Sequence, residues 1–177
     1  RTPASGFAVG ALASASTSQR ASEEIVAQDY DLGVRLFPQP GLKGRLATMP
    51  IRLWGTVAVP ATAGPHPVVV IAHGAHGDNC PGEYGEWPCW KRQQRNDLGF
   101  RSLVKALAAQ GFVAIAPDVN AAYTGGWGEI PGKEVVRFGQ VMDATITQLA
   151  LASAGARTTF GIPLKGKVDL SRLGLLG

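Results

Sequence analysis

Hydrophobic and polar positions alternate along two early stretches of the chain, and two later stretches are continuously hydrophobic. Residues 30–37 (YDLGVRLF) and 51–59 (IRLWGTVAV) alternate, which predicts two strands with one covered face. Residues 68–72 (VVVIA) and 112–116 (FVAIA) are apolar without a break. A strand that is apolar on both faces is typical of the interior of a covered parallel sheet, so residues 68–72 are predicted to form a central strand.

Helical spacing of apolar residues follows each of the two buried strands, and a last short strand is predicted at residues 173–176. We expect Asn96 or Asp97 to cap the first helix and Gly111 to end it. The two apolar stripes are Phe100, Leu103, Val104, Leu107 and Ala108, and then Val135, Phe138, Met142, Ile146 and Leu149. This alternation predicts the α/β class, with a mostly parallel sheet and helices on both faces.

Composition and charge exclude several classes of protein. With 45% hydrophobic and 17% charged residues among 177, the chain is not a disordered protein, and one domain is expected. The net charge of +4 is mild, and the basic residues are interspersed with acidic ones, so no nucleic-acid partner is predicted. The densest basic cluster is interpreted as a solvated loop and helix face and consists of Lys91, Arg92, Arg95, Arg101 and Lys105. No apolar run reaches the roughly 18 residues of a spanning helix, so no integral membrane segment is predicted.

The first 22 residues have the pattern of a targeting segment. An apolar stretch at residues 6–13 follows Arg1, and Ala13-Ser14-Ala15 matches a small-residue cleavage site. The pattern predicts a secretory signal peptide that lacks its beginning, and the alternative is a disordered Ala/Ser-rich tail. Residues 23–177 are then expected to be the N-terminal part of a single domain.

The two cysteines, Cys80 and Cys89, are interpreted through the same prediction of export. An exported protein would oxidise them to a disulfide, which would add roughly 2.5–3 kcal/mol of stability in the chain-entropy model. The alternative is a pair of free thiols in a cytosolic protein.

A His-Gly loop directly follows the predicted central strand and carries the candidate chemistry. Its sequence, His73-Gly74-Ala75-His76-Gly77, resembles the HGGG-type oxyanion loop of α/β-hydrolases. In such a loop, backbone N–H groups stabilise the negative charge of a tetrahedral intermediate, and glycines let the backbone approach closely. The resemblance implies the N–H of Ala75 as the donor, with His73 and Gly74 in support.

Three longer stretches extend this resemblance: VVVIAHGAHGDNC…WPC, FRSLVKALAAQGFVAIAPDVN and GKVDLSRLGLLG. Over about residues 50–177, and weakly over 30–50, the chain resembles the N-terminal half of secreted bacterial α/β-hydrolases related to polyester hydrolases, chlorophyllases and acetylhydrolases. The resemblance implies a serine hydrolase that cleaves small-molecule or polymeric carboxylic esters through an acyl-enzyme, without a cofactor. In these hydrolases the last stretch leads into the G-x-S-x-G nucleophile elbow.

The same resemblance implies that the nucleophilic serine falls two residues past Gly177, and that the acid and the base histidine come later. No member of the triad is therefore expected within the chain. The chain alone is predicted to be inactive and to need the missing C-terminal half of the same fold. The other hypothesis is a non-catalytic binding module, or one chain of a two-chain assembly.

Several residues near this loop have both a functional and a structural interpretation. The candidates for a substrate pocket are His76, Tyr123 and Trp127, although packing roles are also open to them. Turn and cap roles are favoured for Asp118 and Asn120, which follow the fourth strand. A metal set of His73, His76, Asp78 and Asp118 departs from the H-x-H-x-D-H spacing of known metal hydrolases, so no metal is predicted.

Overall fold

The computed structural model describes residues 25–76, 87, 93–123 and 133–177, without the side chains of residues 45, 46, 133 and 134. The described elements are β1 (Gln28–Pro38), β2 (Thr48–Ala58), β3 (His66–Ile71), α1 (Arg101–Ala109), β4 (Val113–Pro117), α2 (Lys133–Ser153) and β5 (Val168–Leu176). Every strand and helix predicted from the hydrophobic pattern is confirmed, and β5 begins earlier than expected. The predicted signal peptide lies outside the described residues.

The five strands form one mixed sheet in the order β1-β2-β4-β3-β5. Strands β4, β3 and β5 are parallel, and β3 lies between the other two, which confirms it as a central strand. The prediction of a mostly parallel sheet is wrong, because β1 pairs antiparallel with β2 and β2 pairs antiparallel with β4. For β1 and β2 the physical reason is that the connection from Pro38 to Thr48 is shorter than the dozen or so residues that a parallel crossover needs.

The two helices cover opposite faces of this sheet, as predicted. Val113 and Ile115 of β4 pack in the same core as Met142 and Leu149 of α2. The alternating residues of β4 are alanines, which pack in a second core with Val104 and Ala108 of α1. Small side chains on that face let α1 lie close to the sheet. Neither described helix is long and apolar enough to cross a membrane.

The start of α1 differs from the expectation. Residues Asn96–Phe100 form a 3-10 helix, and α1 begins at Arg101 without a side-chain cap. Asp97 does not cap the helix because its carboxylate accepts hydrogen bonds at 2.6 and 2.5 Å from the guanidinium of Arg95. At the other end, Gly111 adopts a positive φ of 93°, which confirms it as the residue that ends α1.

Strand β5 leaves an apolar edge on the described part of the chain. It pairs with β3 on one side, and no described strand pairs with its other side. Leu175 is 68% exposed and Leu176 is 48% exposed. A parallel strand normally has both faces covered. The exposed leucines of β5 are therefore typical of a strand that is covered in an assembled sheet.

We expect Leu175→Lys to reduce self-association of the chain. The charge would lie on an exposed edge, where it blocks edge-to-edge pairing at little cost in stability. Light scattering at increasing concentration should show a lower apparent mass for the variant and a similar melting temperature. Equal apparent masses for both proteins would contradict self-association through the edge of β5.

One glycine of β2 is required by close packing. A Cβ on Gly55 would lie 2.5 Å from the hydroxyl oxygen of Tyr30 and closer still to the carbonyl oxygen of Ala116. Tyr30 has little freedom to move away, because it is buried and its ring packs at 5.0 Å from that of Phe160.

Gly55→Ala should therefore lower the free energy of unfolding by about 2–4 kcal/mol. The matched control is Gly139→Ala on α2, where an added Cβ meets nothing within 4 Å and should stabilise the helix by up to about 1 kcal/mol. Urea denaturation of both variants measures the difference. A loss no larger for Gly55→Ala than for the control would contradict the packing.

Candidate functional site

The carboxyl ends of three strands meet at one end of the sheet. The carboxyl ends of β3, β4 and β5 share this end because the three strands are parallel. The N–H of Ala72, just after β3, donates to the carbonyl oxygen of Leu176 at 2.8 Å, so the end of β5 lies beside the His-Gly loop. Ligands of α/β sheets bind at the carboxyl ends of the strands, which makes this end the candidate site.

His73 connects the loop after β3 to the turn after β4. Its side chain is buried, and its Nε2 accepts a hydrogen bond from the N–H of Val119 at 2.9 Å. Its Nδ1 lies 2.8 Å from the carbonyl oxygen of Gly74. A backbone N–H only donates and a carbonyl only accepts, so Nε2 is unprotonated and Nδ1 carries the proton. Burial lowers the pKa of His73, against a smaller opposing effect of the bond to Gly74, and keeps the ring neutral at pH 7.

The bond from His73 also fixes the direction of the Ala75 N–H. The peptide between Gly74 and Ala75 is trans, and in a planar trans peptide the C=O and the N–H point in opposite directions. Because His73 holds the carbonyl of Gly74, the N–H of Ala75 points away from His73. Residues 74–76 are exposed, and no acceptor for the Ala75 N–H is found among the described residues. Among the described residues, the loop thus holds a backbone donor that is directed away from His73 at the carboxyl ends of the strands.

Two of the predicted pocket residues lie beside His73. The ring of His76 is centred 5.8 Å from that of His73, and the ring of Tyr123 is centred 6.4 Å from it. Tyr123 is placed by a 3-10 helix at Asn120–Ala122, which directly precedes it. The third pocket candidate, Trp127, lies outside the described residues, as do Cys80 and Cys89 with their predicted disulfide.

Asp118 is a buried carboxyl group at the end of β4. It accepts hydrogen bonds from the side chain of Gln93 at 3.0 Å and from the N–H and side-chain amide of Asn120 at 3.1 and 3.0 Å. Burial raises the pKa of Asp118 to about 7, against the lowering effect of backbone N–H donors and of Arg95. The sequence placed Asp118 and Asn120 in a turn at the correct end of the sheet, but nothing in the pattern indicated a buried network.

The neighbouring charges form an ion pair beneath this turn. Arg95 pairs with the fully buried Asp97, donates to the carbonyl oxygen of Gly55 at 3.2 Å and lies 4.5 Å from the centre of the Trp54 ring. The interpretation of the basic cluster as solvated is therefore wrong for Arg95, whose side chain is only 18% exposed. Arg101, also in that cluster, pairs with Asp29 at 2.5 Å.

The described residues do not assemble a metal centre. Both ring nitrogens of His73 are engaged in hydrogen bonds, so neither is available to a metal. No group of three or more His, Cys, Asp or Glu side chains with metal-binding geometry occurs in the described ranges. Asp78, one of the ligands that the sequence offered, lies outside them.

Comparison with known proteins yields distant structural similarity only. No protein-family model matches the chain, and no curated protein matches it. A Klebsiella pneumoniae protein provisionally described as a dienelactone hydrolase matches at 19% identity and a TM-score of 0.40, over 85% of this chain and 48% of that one. A second solved structure, m3DLH, matches at 17% identity and a TM-score of 0.32 with the same coverage. The chain spans about half the length of each, and similarity at this level assigns no activity to it.

The raised pKa of Asp118 predicts a specific dependence of stability on pH. Between its ordinary value of 3.8 and about 7, the folded protein holds a proton that the unfolded chain has lost. This group therefore stabilises the fold below pH 4, and its contribution is lost as the pH rises to about 7. The loss amounts to at most about 4 kcal/mol.

Asp118→Asn should remove this fall in the free energy of unfolding between pH 4 and pH 8, measured by urea denaturation at each pH. Asp31→Asn is the control, because pairing with Arg52 lowers the pKa of Asp31 and its effect falls at lower pH. Parallel profiles for the unmodified protein and Asp118→Asn would show that Asp118 is ionised throughout.

Proposed function

We propose that this chain supplies the oxyanion loop of a secreted serine hydrolase that cleaves carboxylic esters through an acyl-enzyme. The observation that carries the proposal is the fixed direction of the Ala75 N–H. His73 holds the carbonyl of Gly74, and the N–H of the exposed Ala75 therefore points away from His73. A pre-oriented donor that needs no rearrangement is what a developing oxyanion requires.

The position of β5 supports a nucleophile on the residues that follow it. The carbonyl of Leu176 is bonded to Ala72, and a Cβ on Gly177 would lie 3.5 Å from the carbonyl oxygen of Ala72. A chain that continues past Gly177 therefore starts beside the His-Gly loop. In the proposed reaction a serine hydroxyl there attacks the ester carbonyl, and the Ala75 N–H stabilises the resulting oxyanion. The alcohol leaves, and water then hydrolyses the acyl-serine.

The histidine base of this reaction would come from beyond the described chain. His73 is unsuited to the role, because accepting a proton on Nε2 would break its bond with Val119. His66 lies at the opposite end of β3, where its Nε2 is 3.1 Å from the carbonyl oxygen of Thr62. His76 is exposed beside the loop and, with Tyr123, is proposed to contact the ester substrate.

The remaining parts of the proposal follow from the sequence resemblance. We propose export by the N-terminal segment, a Cys80–Cys89 disulfide and a small-molecule or polymeric ester as the substrate. The chemistry uses no cofactor. The missing half of the fold is proposed to cover the apolar edge of β5.

A second candidate function is that of one chain in a two-chain assembly, or of a binding module. The exposed edge of β5, with Leu175 and Leu176, favours it because a partner strand could pair there. An assay of ester hydrolysis distinguishes the two candidate functions. The full-length protein should hydrolyse a p-nitrophenyl ester if it is a hydrolase and should not if it is a binding module, whereas the 177-residue chain alone should hydrolyse none in either case.

Ala75→Pro tests the hydrolase proposal, since proline lacks the N–H and the position is exposed. In the full-length protein, kcat for a short p-nitrophenyl ester should fall about 10²–10³-fold with KM little changed. Ala75→Ser keeps the N–H and should retain activity within about threefold. Labelling by a serine-directed fluorophosphonate measures the nucleophile in both.

Two results would contradict the proposal. One is a folded Ala75→Pro variant with the activity of Ala75→Ser. The other is a full-length protein that neither hydrolyses esters nor reacts with the fluorophosphonate, which would favour the binding module.

A further inference from the structure

We infer that Asp118 is a positioning residue, whose carboxyl group fixes the turn that orients His73 and, through His73, the N–H of Ala75. The catalytic meaning of this inference rests on the proposed function. Its structural part, the control of the His73 ring by Asp118, stands on hydrogen bonds alone and is tested separately.

The first step is the turn after β4. Asp118 extends the pairing with β2, because its N–H donates to the carbonyl oxygen of Trp54 at 3.0 Å. Its carboxylate then receives both the backbone N–H and the side-chain amide of Asn120. Val119 lies between these two held residues, so its peptide group has little freedom to rotate.

The second step ties this turn to the segment before α1. The side chain of Gln93 donates to Asp118, and that of Asn120 donates to the carbonyl oxygen of Gln94 at 2.7 Å. Asn96 donates from its side chain to the side-chain oxygen of Asn120 at 2.7 Å. The same segment is fixed to β2 through Arg95. The turn is therefore held from the sheet on one side and from the start of the helix on the other.

The third step carries the constraint to the loop. The N–H of Val119 donates to Nε2 of His73, which selects the tautomer with a proton on Nδ1. That proton is donated to the carbonyl of Gly74, and the trans peptide turns the N–H of Ala75 outward. Asp118 thus acts on Ala75 through Val119 and His73.

A side chain with two acceptor oxygens suits this position. Both oxygens of Asp118 receive N–H donors. Alanine would leave several buried donors without an acceptor, and asparagine would place an NH₂ group against one of them. Both substitutions should loosen the turn, and asparagine should do so less because it keeps the shape and one acceptor.

The experiment uses NMR of the full-length protein labelled with ¹⁵N, in the Asp118→Ala and Asp118→Asn variants. In the unmodified protein, the ring of His73 should show one tautomer, with Nδ1 protonated. In Asp118→Ala the other tautomer should become populated, the pKa of His73 should rise towards its usual value, and amide exchange at Val119 should accelerate at least about tenfold. Asp31→Ala removes an exposed carboxylate of β1 that pairs with Arg52 and takes no part in these hydrogen bonds, so it should change none of these readouts.

Kinetics connect the network to the proposed reaction. Asp118→Ala should lower kcat about tenfold and leave KM within about twofold, because the donor acts on the transition state. In a His73→Ala background the same substitution should have almost no further effect on kcat, since its route to Ala75 is already cut.

A folded Asp118→Ala variant with an unchanged His73 tautomer and unchanged Val119 exchange would overturn the inference. If that variant does not fold, Asp118→Asn decides by the same readouts. A protein without esterase activity in which Asp118 still controls the His73 ring would refute the proposed function alone. An active esterase in which Asp118 does not control the ring would refute this inference alone.

Discussion

The hydrogen bond between the Val119 N–H and Nε2 of His73 is the interaction on which the candidate site depends. It joins the loop after β3 to the turn after β4 and decides which ring nitrogen of His73 carries the proton. The second bond of the ring, to Gly74, follows from that choice. Because the ring is buried and neutral, the arrangement is stable at neutral pH, and the outward direction of the Ala75 N–H is a consequence of it.

The mixed sheet contributes to the site through both of its parts. The parallel strands β4, β3 and β5 bring three chain segments to one edge. The antiparallel β2 then supports that edge from the side, since its Trp54 carbonyl holds Asp118 and its Gly55 carbonyl holds Arg95. Tyr30 and Ala116 pack closely against this part of β2 at Gly55. The direction of β2 is therefore part of the construction of the site.

The sequence predicted the elements well and their long-range partners poorly. Apolar runs such as residues 68–72 show burial directly, so β3 and β4 could be located from the pattern. Strand direction depends on pairing between distant segments, and β2 beside β4 leaves no local signal. Aspartate is a residue type that commonly caps helices, but the carboxylate of Asp97 is bonded to Arg95 instead. Asp118 is bonded to Gln93, 25 residues away, which no spacing rule reveals. His73 and Ala75 could be proposed because their chemistry resides in one short motif.

The most direct test of the account is a crystal structure of the full-length protein after reaction with a phosphonate ester, whose phosphonyl oxygen mimics the oxyanion. We expect this oxygen to lie about 2.7–3.1 Å from the backbone nitrogen of Ala75, with Nδ1 of His73 still bonded to Gly74. A phosphonyl oxygen held by other donors, with the Ala75 N–H pointing elsewhere, would contradict it.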